Sequence, residues 1–465
     1  SPVTNQREDE WGERTRFVRE ILRAIRARCG SGFVIGLKLP ADDFIPGSID
    51  VAEAKRLTAE IVADVPPDYL CFSQGTHGWS LHRHAPDMHE PVAPYRDLIR
   101  QMRGAAGGVP LAAIGRIATA EMAEEVLAAG EAELVMLARP LLADPFLPEK
   151  ARSGRAAAIT PCIHCNACWG EIHRNVAIGC SVNPHIGTAR DGAPAVTQAK
   201  VAKRVVVVGG GVAGLVAAAA AAERGHRVTL LGTSLGGGAE LHARLPGCAD
   251  IGRVVASFVN RAVDAGVEVR VSGDVGVAEL IALRPEAVVL ATGARMAAPA
   301  DANEALSLRT AANMLLDDQR PGGALAVLLD ADATPATYDA AELLAARFRR
   351  LLLLTPREVI ARDSPVIVAQ GIHRRLAALG VELRTCTEVV AHGDGVLTAR
   401  HVLTGAESVI EGVDLFTYST ARVPRDELAA PLRAAGIPVR LVGDALAPRL
   451  MLSAVREGQA AGEAV

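Results

Sequence analysis

Short apolar runs alternate with amphipathic stretches over residues 1 to about 150, the pattern of repeated strand–helix units. Apolar residues recur every three or four positions over residues 13–28, which predicts an amphipathic helix. Buried parallel strands are predicted at 33–39, 69–72, 109–114 and 133–138, and helices at 51–63, 95–102 and 119–129. Four such units fit either a doubly wound sheet or part of a (β/α)8 barrel, and periodicity does not separate the two.

A second α/β region starts near Lys203. Residues 205–222 carry no charge and approach the length of a membrane span. Three consecutive glycines interrupt this run, and the β-branched residues before them give way to alanines after them. That change is typical of a buried strand that turns into a buried helix. The sequence therefore predicts a strand–turn–helix unit and no membrane partner.

The glycines of this turn follow the pattern Gly-x-Gly-x-x-Gly, with Gly209, Gly211 and Gly214 between the predicted strand and helix. There the pattern predicts dinucleotide binding, because the backbone can approach a pyrophosphate at the helix N-terminus. The alternative is a tight turn in a domain that has lost its ligand. Two later strand ends are predicted to close over a flavin dinucleotide, at Thr292, Gly293, Gly443 and Asp444.

One position departs from an ordinary adenosine site. Gly232 stands at the end of the second strand of this region, where an acid normally holds the ribose hydroxyls. Binding is therefore expected to be weaker, or to rely on Thr233 and Ser234.

A further strand–helix unit begins at Ala324, and its turn differs from the first. The turn carries Asp330 and Asp332 and no glycine. Carboxylates repel a phosphate dianion, and Cβ atoms block the close approach that glycines allow. The sequence therefore predicts no second dinucleotide site and no direct use of NADH or NADPH.

Four cysteines lie close together between the two α/β regions: Cys162, Cys165, Cys168 and Cys180. Three thiolates within seven residues, with a fourth after eleven more, are typical of a loop that holds a [4Fe-4S] cluster. Zinc is an alternative, although its sites more often use two separated pairs. A disulfide pattern is the other alternative.

The composition of the chain limits which binding partners and which cellular compartment we expect. A net charge of −4, 3% aromatic residues and the lack of a Lys/Arg-rich stripe argue against nucleic acid and anionic membrane as partners. Clustered cysteines and the lack of a secretion leader favour the cytoplasm. A chain of 465 residues has room for two to four domains.

One loop, over residues 74–89, holds four of the twelve histidines. Their spacing fits no common metal-binding pattern. We interpret the loop as one that lines a substrate site, and the alternative is an ordinary surface loop.

Several segments together carry a resemblance to a known family: 1–12, 115–116, 138–140, 142–150, 162–168 and 442–458. In this order the chain resembles the multidomain relatives of Old Yellow Enzyme, the 2,4-dienoyl-CoA reductase and trimethylamine dehydrogenase group. The resemblance covers essentially the whole chain and implies FMN, a [4Fe-4S] cluster and FAD or ADP as cofactors. It implies an FMN phosphate site at the ends of barrel strands seven and eight, formed by Gly115, Arg116, Ala138 and Arg139.

The resemblance also implies the fold class and domains. The expected fold is α/β: the C-terminal half of a (β/α)8 barrel, an iron–sulfur loop segment and a two-part Rossmann-like domain. The barrel portion is expected over residues 1–150 and the iron–sulfur segment over 151–200. A FAD- or ADP-binding domain is expected over 201–322 and 421–465, and a degenerate NAD(P)-type domain over 323–420.

Departures from the family pattern lead to further expectations. The chain begins where the family has its fourth barrel helix, so strands one to four are expected to be missing, and with them the family's catalytic Tyr and His. The catalytic residues are therefore unknown. A missing N-terminal segment or a second chain is expected to complete the barrel, in an oligomer. The lack of an initiating Met favours a fragment or a processed form. Lys38 stands where the family usually has an arginine facing the flavin pyrimidine edge.

Two features suggest a direction of electron flow. The two-residue spacing between Cys165 and Cys168, and the missing glycines after Leu329, resemble the amine dehydrogenases of the family. Residues 180–184 resemble the reductases instead. The balance favours a dehydrogenase or demethylase that passes electrons through the cluster to an acceptor such as an electron-transfer flavoprotein. The alternatives are an NAD(P)H-dependent enoate or dienoyl-CoA reductase, and a non-catalytic electron-transfer or structural subunit.

Overall fold

The computed structural model describes residues 7–188, 196–299, 304–318 and 322–465. Residues 1–6, part of the first segment of the family resemblance, lie outside the described residues. The chain divides into two compact units, residues 1–156 and 157–465. Each is described by itself.

The first unit is a parallel α/β unit with consecutive strand order. Its strands are β1 (Gly36–Asp42), β2 (Tyr69–Gln74), β3 (Leu111–Ala113) and β4 (Leu134–Val135). Its helices are α1 (Arg16–Cys29), α2 (Val51–Asp64), α3 (Leu81–His84), α4 (Arg96–Arg103), α5 (Ala120–Ala128), α6 (Ala138–Ala143) and α7 (Leu147–Arg152). Each strand pairs in parallel with the next, in the order β1-β2-β3-β4. That order is typical of a (β/α)8 barrel, because a doubly wound sheet reverses its strand order at a switch point.

Three predicted strands of this unit differ from expectation: β1 begins at Gly36 rather than at residue 33, β3 covers Leu111–Ala113 rather than 109–114, and β4 is much shorter. Apolar residues continue over 133–138, yet β4 covers only Leu134–Val135 and Ala138 already begins α6. The core lies between the sheet and the helices, where Leu70, Phe72 and Met102 are buried.

The second unit contains the remaining elements, in chain order. Its strands are β5 (Arg204–Val208), β6 (Arg227–Gly232), β7 (Glu268–Val271), β8 (Ala287–Leu290), β9 (Ala294–Met296), β10 (Leu306–Ser307), β11 (Gly323–Asp330), β12 (Phe348–Leu354), β13 (Glu382–Arg384), β14 (Thr387–Gly393), β15 (Val396–His401), β16 (Glu407–Glu411), β17 (Leu415–Ser419), β18 (Arg422–Pro424) and β19 (Val439–Leu441). Its helices are α8 (Ala167–His173), α9 (Val212–Glu223), α10 (Gly238–Ala243), α11 (Ala249–Asp264), α12 (Val277–Ala282), α13 (Leu308–Asp317), α14 (Pro335–Arg347), α15 (Val366–Ala378), α16 (Ala429–Ala434) and α17 (Met451–Glu463).

Two five-stranded parallel sheets organise this unit. The first has the order β19-β8-β5-β6-β7 and the second the order β10-β17-β11-β12-β13. In the first sheet β5 lies between β8 and β6, so the strand order reverses there. A crevice outside such a switch point is where doubly wound sheets bind ligands. Strands β14, β15 and β16 form an antiparallel sheet, and β9 pairs with β18.

The uncharged run over residues 205–222 forms a strand and a helix, as predicted. It spans most of β5 and α9, and the ten residues from Val212 to Ala221 are all buried. Helix α17 packs closely on α9, because an added Cβ at Gly458 would lie 2.4 Å from the carbonyl oxygen of Ala213. Within the described part of the chain, no helix has the length and apolarity needed to cross a membrane.

Candidate cofactor sites

The residues predicted to hold the FMN phosphate lie at one edge of the first sheet. Gly115 and Arg116 follow β3, Ala138 and Arg139 begin α6 after β4, and β3 pairs with β4. Parallel pairing brings these strand ends together. Gly115 has a φ of +110°, and an added Cβ there would lie 2.5 Å from Cδ2 of Tyr95, so glycine is required.

The two arginines at this edge are held differently. Arg116 has a φ of +47° and is 7% exposed. Arg139 donates a hydrogen bond from Nη1 to the carbonyl oxygen of Pro86 at 2.9 Å, which ties it to the loop after β2. Two guanidinium groups at neighbouring strand ends are a donor set that suits a phosphate dianion.

Lys38 lies in β1 opposite Cys71 of β2 and is exposed. Its charge reaches the histidine loop, since burial, then the charges of His77 and Lys38, lower the pKa of His84. His84 Nδ1 lies 3.2 Å from the carbonyl oxygen of Gln74, and its ring centroid lies 4.8 Å from that of His77. The imidazoles of His77 and His84 therefore lie together beside the end of β2, within reach of the charge of Lys38.

Three of the four clustered cysteines, Cys165, Cys168 and Cys180, lie near one another in the second unit. Burial, together with the smaller effect of the nearby Cys165 and Cys168, raises the pKa of the Cys180 thiol to about 11. The backbone N–H groups of Val182 and Asn183 act in the opposite direction, because their hydrogen bonds to the sulfur favour the thiolate. Hydrogen bonds to sulfur ligands are among the factors that set the reduction potentials of iron–sulfur clusters.

The loop itself is bent so that it turns its backbone toward the sulfurs. His164 and Asn166 adopt left-handed conformations, with φ of +51° and +55°, and each is 1% exposed. The His164 N–H group lies 3.4 Å from Cys162 Sγ and donates to it.

The disulfide alternative for the four clustered cysteines does not occur in the structure. The eight cysteines of the chain all lie in described segments and form no disulfide.

The three glycines after β5 each meet a different requirement. Gly209 has a φ of +111°, and an added Cβ at Gly214 would lie 1.9 Å from the Gly209 carbonyl oxygen, so the helix packs directly on the turn. An added Cβ at Gly211 meets nothing within 4 Å. Glycine at 211 therefore keeps open a space next to the N-terminus of α9, where a pyrophosphate would approach.

A second glycine turn, which the sequence analysis missed, lies across the first. The Gly236 N–H group donates to the carbonyl oxygen of Gly210 at 2.8 Å. An added Cβ at Gly232 would lie 2.8 Å from the Gly210 nitrogen, and one at Gly210 would lie 2.3 Å from the Ser234 carbonyl oxygen. The acid expected at 232 is therefore incompatible with this close packing. The run Gly236-Gly237-Gly238 was the signal for this turn in the sequence.

The later strand ends lie at the same edge of the first sheet. An added Cβ at Gly209 would lie 2.2 Å from the carbonyl oxygen of Ala291, the residue before Thr292. Thr292 donates its hydroxyl proton to the carbonyl oxygen of Arg425, and Gly293 has a φ of +77°.

Asp444 already has protein partners. Its Oδ2 accepts from Arg422 Nη1 at 2.6 Å and its Oδ1 accepts from the Arg449 N–H group at 3.1 Å. The Gly443 N–H group donates to Glu457 Oε2 at 2.8 Å. A carboxylate offers about four acceptor positions, so a nucleotide hydroxyl would be a further partner of Asp444.

The turn after β11 in the second sheet corresponds to the glycine turn after β5. Its backbone N–H groups are hydrogen-bonded to other groups of the protein. The N–H groups of Ala331 and Asp332 donate to the carbonyl oxygen of Ser419 at 2.8 and 3.0 Å. The Ala333 N–H group donates to Asp330 Oδ1 at 2.8 Å. Three backbone donors in a row are thus occupied, where a pyrophosphate would need them.

Comparison with known proteins assigns the chain to a family. Residues 1–158 match the NADH:flavin oxidoreductase / NADH oxidase family, and residues 203–445 match pyridine nucleotide-disulphide oxidoreductases. The chain is 31% identical to an NADH oxidase from Thermoanaerobacter brockii, over 98% of this chain and 71% of that protein. The chain belongs to the NADH:flavin oxidoreductase / NADH oxidase family. It is an oxidoreductase with an FMN-type barrel domain and a FAD- or NAD-type Rossmann-like domain, as the resemblance implied.

Two further relatives show how the family varies. An N,N-dimethylglycine/sarcosine dehydrogenase from Chromohalobacter salexigens is 32% identical over 63% of this chain, and the match spans 44% of that protein. The structure of histamine dehydrogenase from Rhizobium sp. 4-9 superposes with a TM-score of 0.90 at 26% identity, covering 100% of this chain and 71% of that one. The chain thus spans about seven-tenths of some family members and less than half of another.

One expectation is not supported by these comparisons. The family pattern predicted that the chain lacks the first half of the barrel, but the family match, which covers residues 1–158, does not support this prediction. The four strands of the first unit are those that the structure describes in residues 7–156.

Proposed function

We propose that the chain belongs to a flavin- and iron–sulfur-dependent dehydrogenase or demethylase whose electrons go to an external acceptor. When bound, FMN accepts a hydride equivalent from a substrate, and a [4Fe-4S] cluster carries single electrons. In this proposal Gly115, Arg116 and Arg139 hold the flavin phosphate. Cys162, Cys165, Cys168 and Cys180 hold the cluster.

The proposal includes that NADH and NADPH are not direct electron donors. The turn after β11 supports this part of it. The three N–H groups at residues 331–333 are satisfied by Ser419 and Asp330, so a pyrophosphate would find no backbone donors there. Asp330 Oδ2 also accepts from the Tyr338 hydroxyl at 2.7 Å, and Asp330 is fully buried. A buried carboxylate takes the position that a phosphate would need, and it is already hydrogen-bonded.

The relatives support the proposal in part. The N,N-dimethylglycine/sarcosine dehydrogenase and histamine dehydrogenase are named for removing electrons from amines. The two-residue spacing between Cys165 and Cys168 agrees with that branch of the family. A small amine is therefore the substrate class that we propose.

A second candidate function is an NAD(P)H-dependent reductase. A relative that matches over 98% of this chain is named an NADH oxidase, and residues 180–184 resemble the reductase side of the family. In that case a pyridine nucleotide would reduce the Rossmann-like domain, and the substrate would be an enoate or a dienoyl thioester.

Anaerobic rapid mixing of the purified holoenzyme distinguishes the two. Mixed separately with NADH, NADPH, sarcosine and N,N-dimethylglycine, the enzyme should keep its oxidised flavin band with either nucleotide. An amine substrate should bleach the band, and dithionite serves as the control that the flavin is reducible. Rapid bleaching by micromolar NADH or NADPH would contradict the proposal and favour the reductase.

A further inference from the structure

Ser181 connects the two ends of the cysteine segment. It follows Cys180 directly, and its Oγ lies 3.4 Å from Sγ of Cys165, sixteen positions earlier in the chain. Ser181 is 6% exposed, so water does not compete freely for its hydroxyl group. The contact is within hydrogen-bonding reach for sulfur, and the geometry is that of a thiol that donates to a hydroxyl.

Loss of the thiol proton reverses this hydrogen bond. A cysteine that ligates iron is a thiolate and has no proton to give. A serine hydroxyl can rotate and donate instead. The same contact then becomes an O–H···S hydrogen bond to a cluster ligand.

We propose that Ser181 raises the reduction potential of the cluster through this hydrogen bond to Cys165. The inference rests on the proposed function, in which the four cysteines hold an iron–sulfur cluster. Reduction adds negative charge to the cluster and its sulfur ligands, so a donor at the sulfur stabilises the reduced form more than the oxidised form. Hydrogen bonds to the sulfurs are among the factors that set such potentials.

Ser181 differs from the other donors in this segment. The groups that donate to Cys162 and Cys180 are backbone N–H groups at residues 164, 182 and 183, which every substitution except proline keeps. The hydroxyl of Ser181 belongs to a side chain. Evolution and experiment can therefore change it without rebuilding the loop.

The test is a redox titration of the anaerobic holoenzyme, followed by electron paramagnetic resonance of the reduced cluster. Ser181→Ala should retain iron but reduce less readily, by about tenfold in the equilibrium constant, which is about 59 mV for one electron. Ser419→Ala is the matched control: Ser419 is also buried, but its hydroxyl lies 2.7 Å from that of Thr337. Its midpoint potential should equal that of the wild type.

A second pair of variants covers the case that alanine disturbs the loop. Thr and Val have the same shape and differ in the hydroxyl, so Ser181→Thr should keep a higher potential than Ser181→Val. Equal potentials for Thr and Val, or for wild type and Ser181→Ala, would overturn the role of Ser181 while leaving the cluster assignment intact. Wild-type protein without iron would instead overturn the proposed function itself.

Discussion

Gly209, Gly211 and Gly214 lie in one turn, and each is a glycine for a different physical reason. Only the reason at Gly211 concerns a ligand. At Gly209 the backbone adopts a positive φ, and at Gly214 the helix touches the carbonyl group of Gly209. At Gly211 the backbone is extended and the space beside it is open. Substitutions at 211 and 214 should therefore have opposite consequences.

Gly211→Ala should fold and lose nucleotide. The added methyl group enters the open space, so adenine nucleotide retention should fall by about tenfold or more, about 1.4 kcal/mol. The free energy of unfolding of the apoprotein should change by less than about 1 kcal/mol. Gly214→Ala is the matched comparison, and its Cβ clash should cost about 1–3 kcal/mol of stability. Nucleotide content and urea unfolding, measured on both variants, check the pair. Equal nucleotide content in Gly211→Ala and wild type would contradict the assignment.

Asp330 makes the free energy of unfolding depend on pH. The burial of its carboxyl group determines the direction of that dependence. Burial raises the pKa of this carboxyl above its ordinary value of 3.8. The folded protein therefore binds the proton more tightly than the unfolded chain, and the stability from this group falls as the pH rises from 3.8 through the raised pKa.

Asp330→Asn should remove this decrease in stability with rising pH. At low pH the variant loses the hydrogen bond from Tyr338 to the acid and should be less stable by about 1 kcal/mol. As the pH rises the wild type loses stability and the variant does not, so the difference between them should shrink. Urea unfolding of both proteins at about pH 4, near the ordinary pKa, and at about pH 7 measures it. A difference that grows with pH would show that the sign is wrong.

At the scale of elements, a buried charge network joins three helices of the second unit. Arg375 of α15 donates from Nε to Glu342 of α14 at 2.6 Å and lies 3.7 Å from Asp339. His242 of α10 lies 2.7 Å from the other carboxylate oxygen of Asp339. Because α10 begins at the second glycine turn, this network connects the nucleotide-binding edge to the lobe that contains β11.

Arg375→Met should be strongly destabilising, because it leaves the two buried carboxylates without their main cation. The expected cost is about 3–5 kcal/mol of unfolding free energy. The neighbouring Arg374 is exposed, so Arg374→Met should change stability by no more than about 0.5 kcal/mol. Thermal and urea unfolding of the two variants give the comparison. Similar losses in both would mean that Arg375 does not neutralise the network.

Elements were predicted from the sequence where the pattern is local, and missed where a distant segment decides the structure. The pattern of apolar residues identified the strand and helix on either side of the glycine turn. It extended β4 through Ala138, because an apolar run does not show where strand pairing stops. It could not show that Ser419 satisfies the turn at 331–332, since that contact joins segments almost ninety residues apart.

At the scale of the whole molecule, each unit places its candidate phosphate- and nucleotide-binding residues at the carboxyl ends of parallel strands. The first unit does so with residues that follow β3 and β4, and the second with residues that follow β5, β8 and β19. The sequence predicted these positions because Gly-rich turns and arginines stood directly after apolar runs. It did not reveal Ser181, Arg422 or the second glycine turn, whose roles depend on contacts across the fold. The carboxyl ends of parallel strands are where such folds bind ligands.

The central claim, that four cysteines hold an iron–sulfur cluster in this oxidoreductase, is tested most directly by iron and acid-labile sulfide analysis of anaerobically purified protein. A [4Fe-4S] cluster predicts about four iron and about four sulfide per chain. Cys165→Ser should lose both, whereas Cys29→Ser, which changes an exposed cysteine of α1, should keep both. One zinc per chain without sulfide, or unchanged iron in Cys165→Ser, would contradict the account.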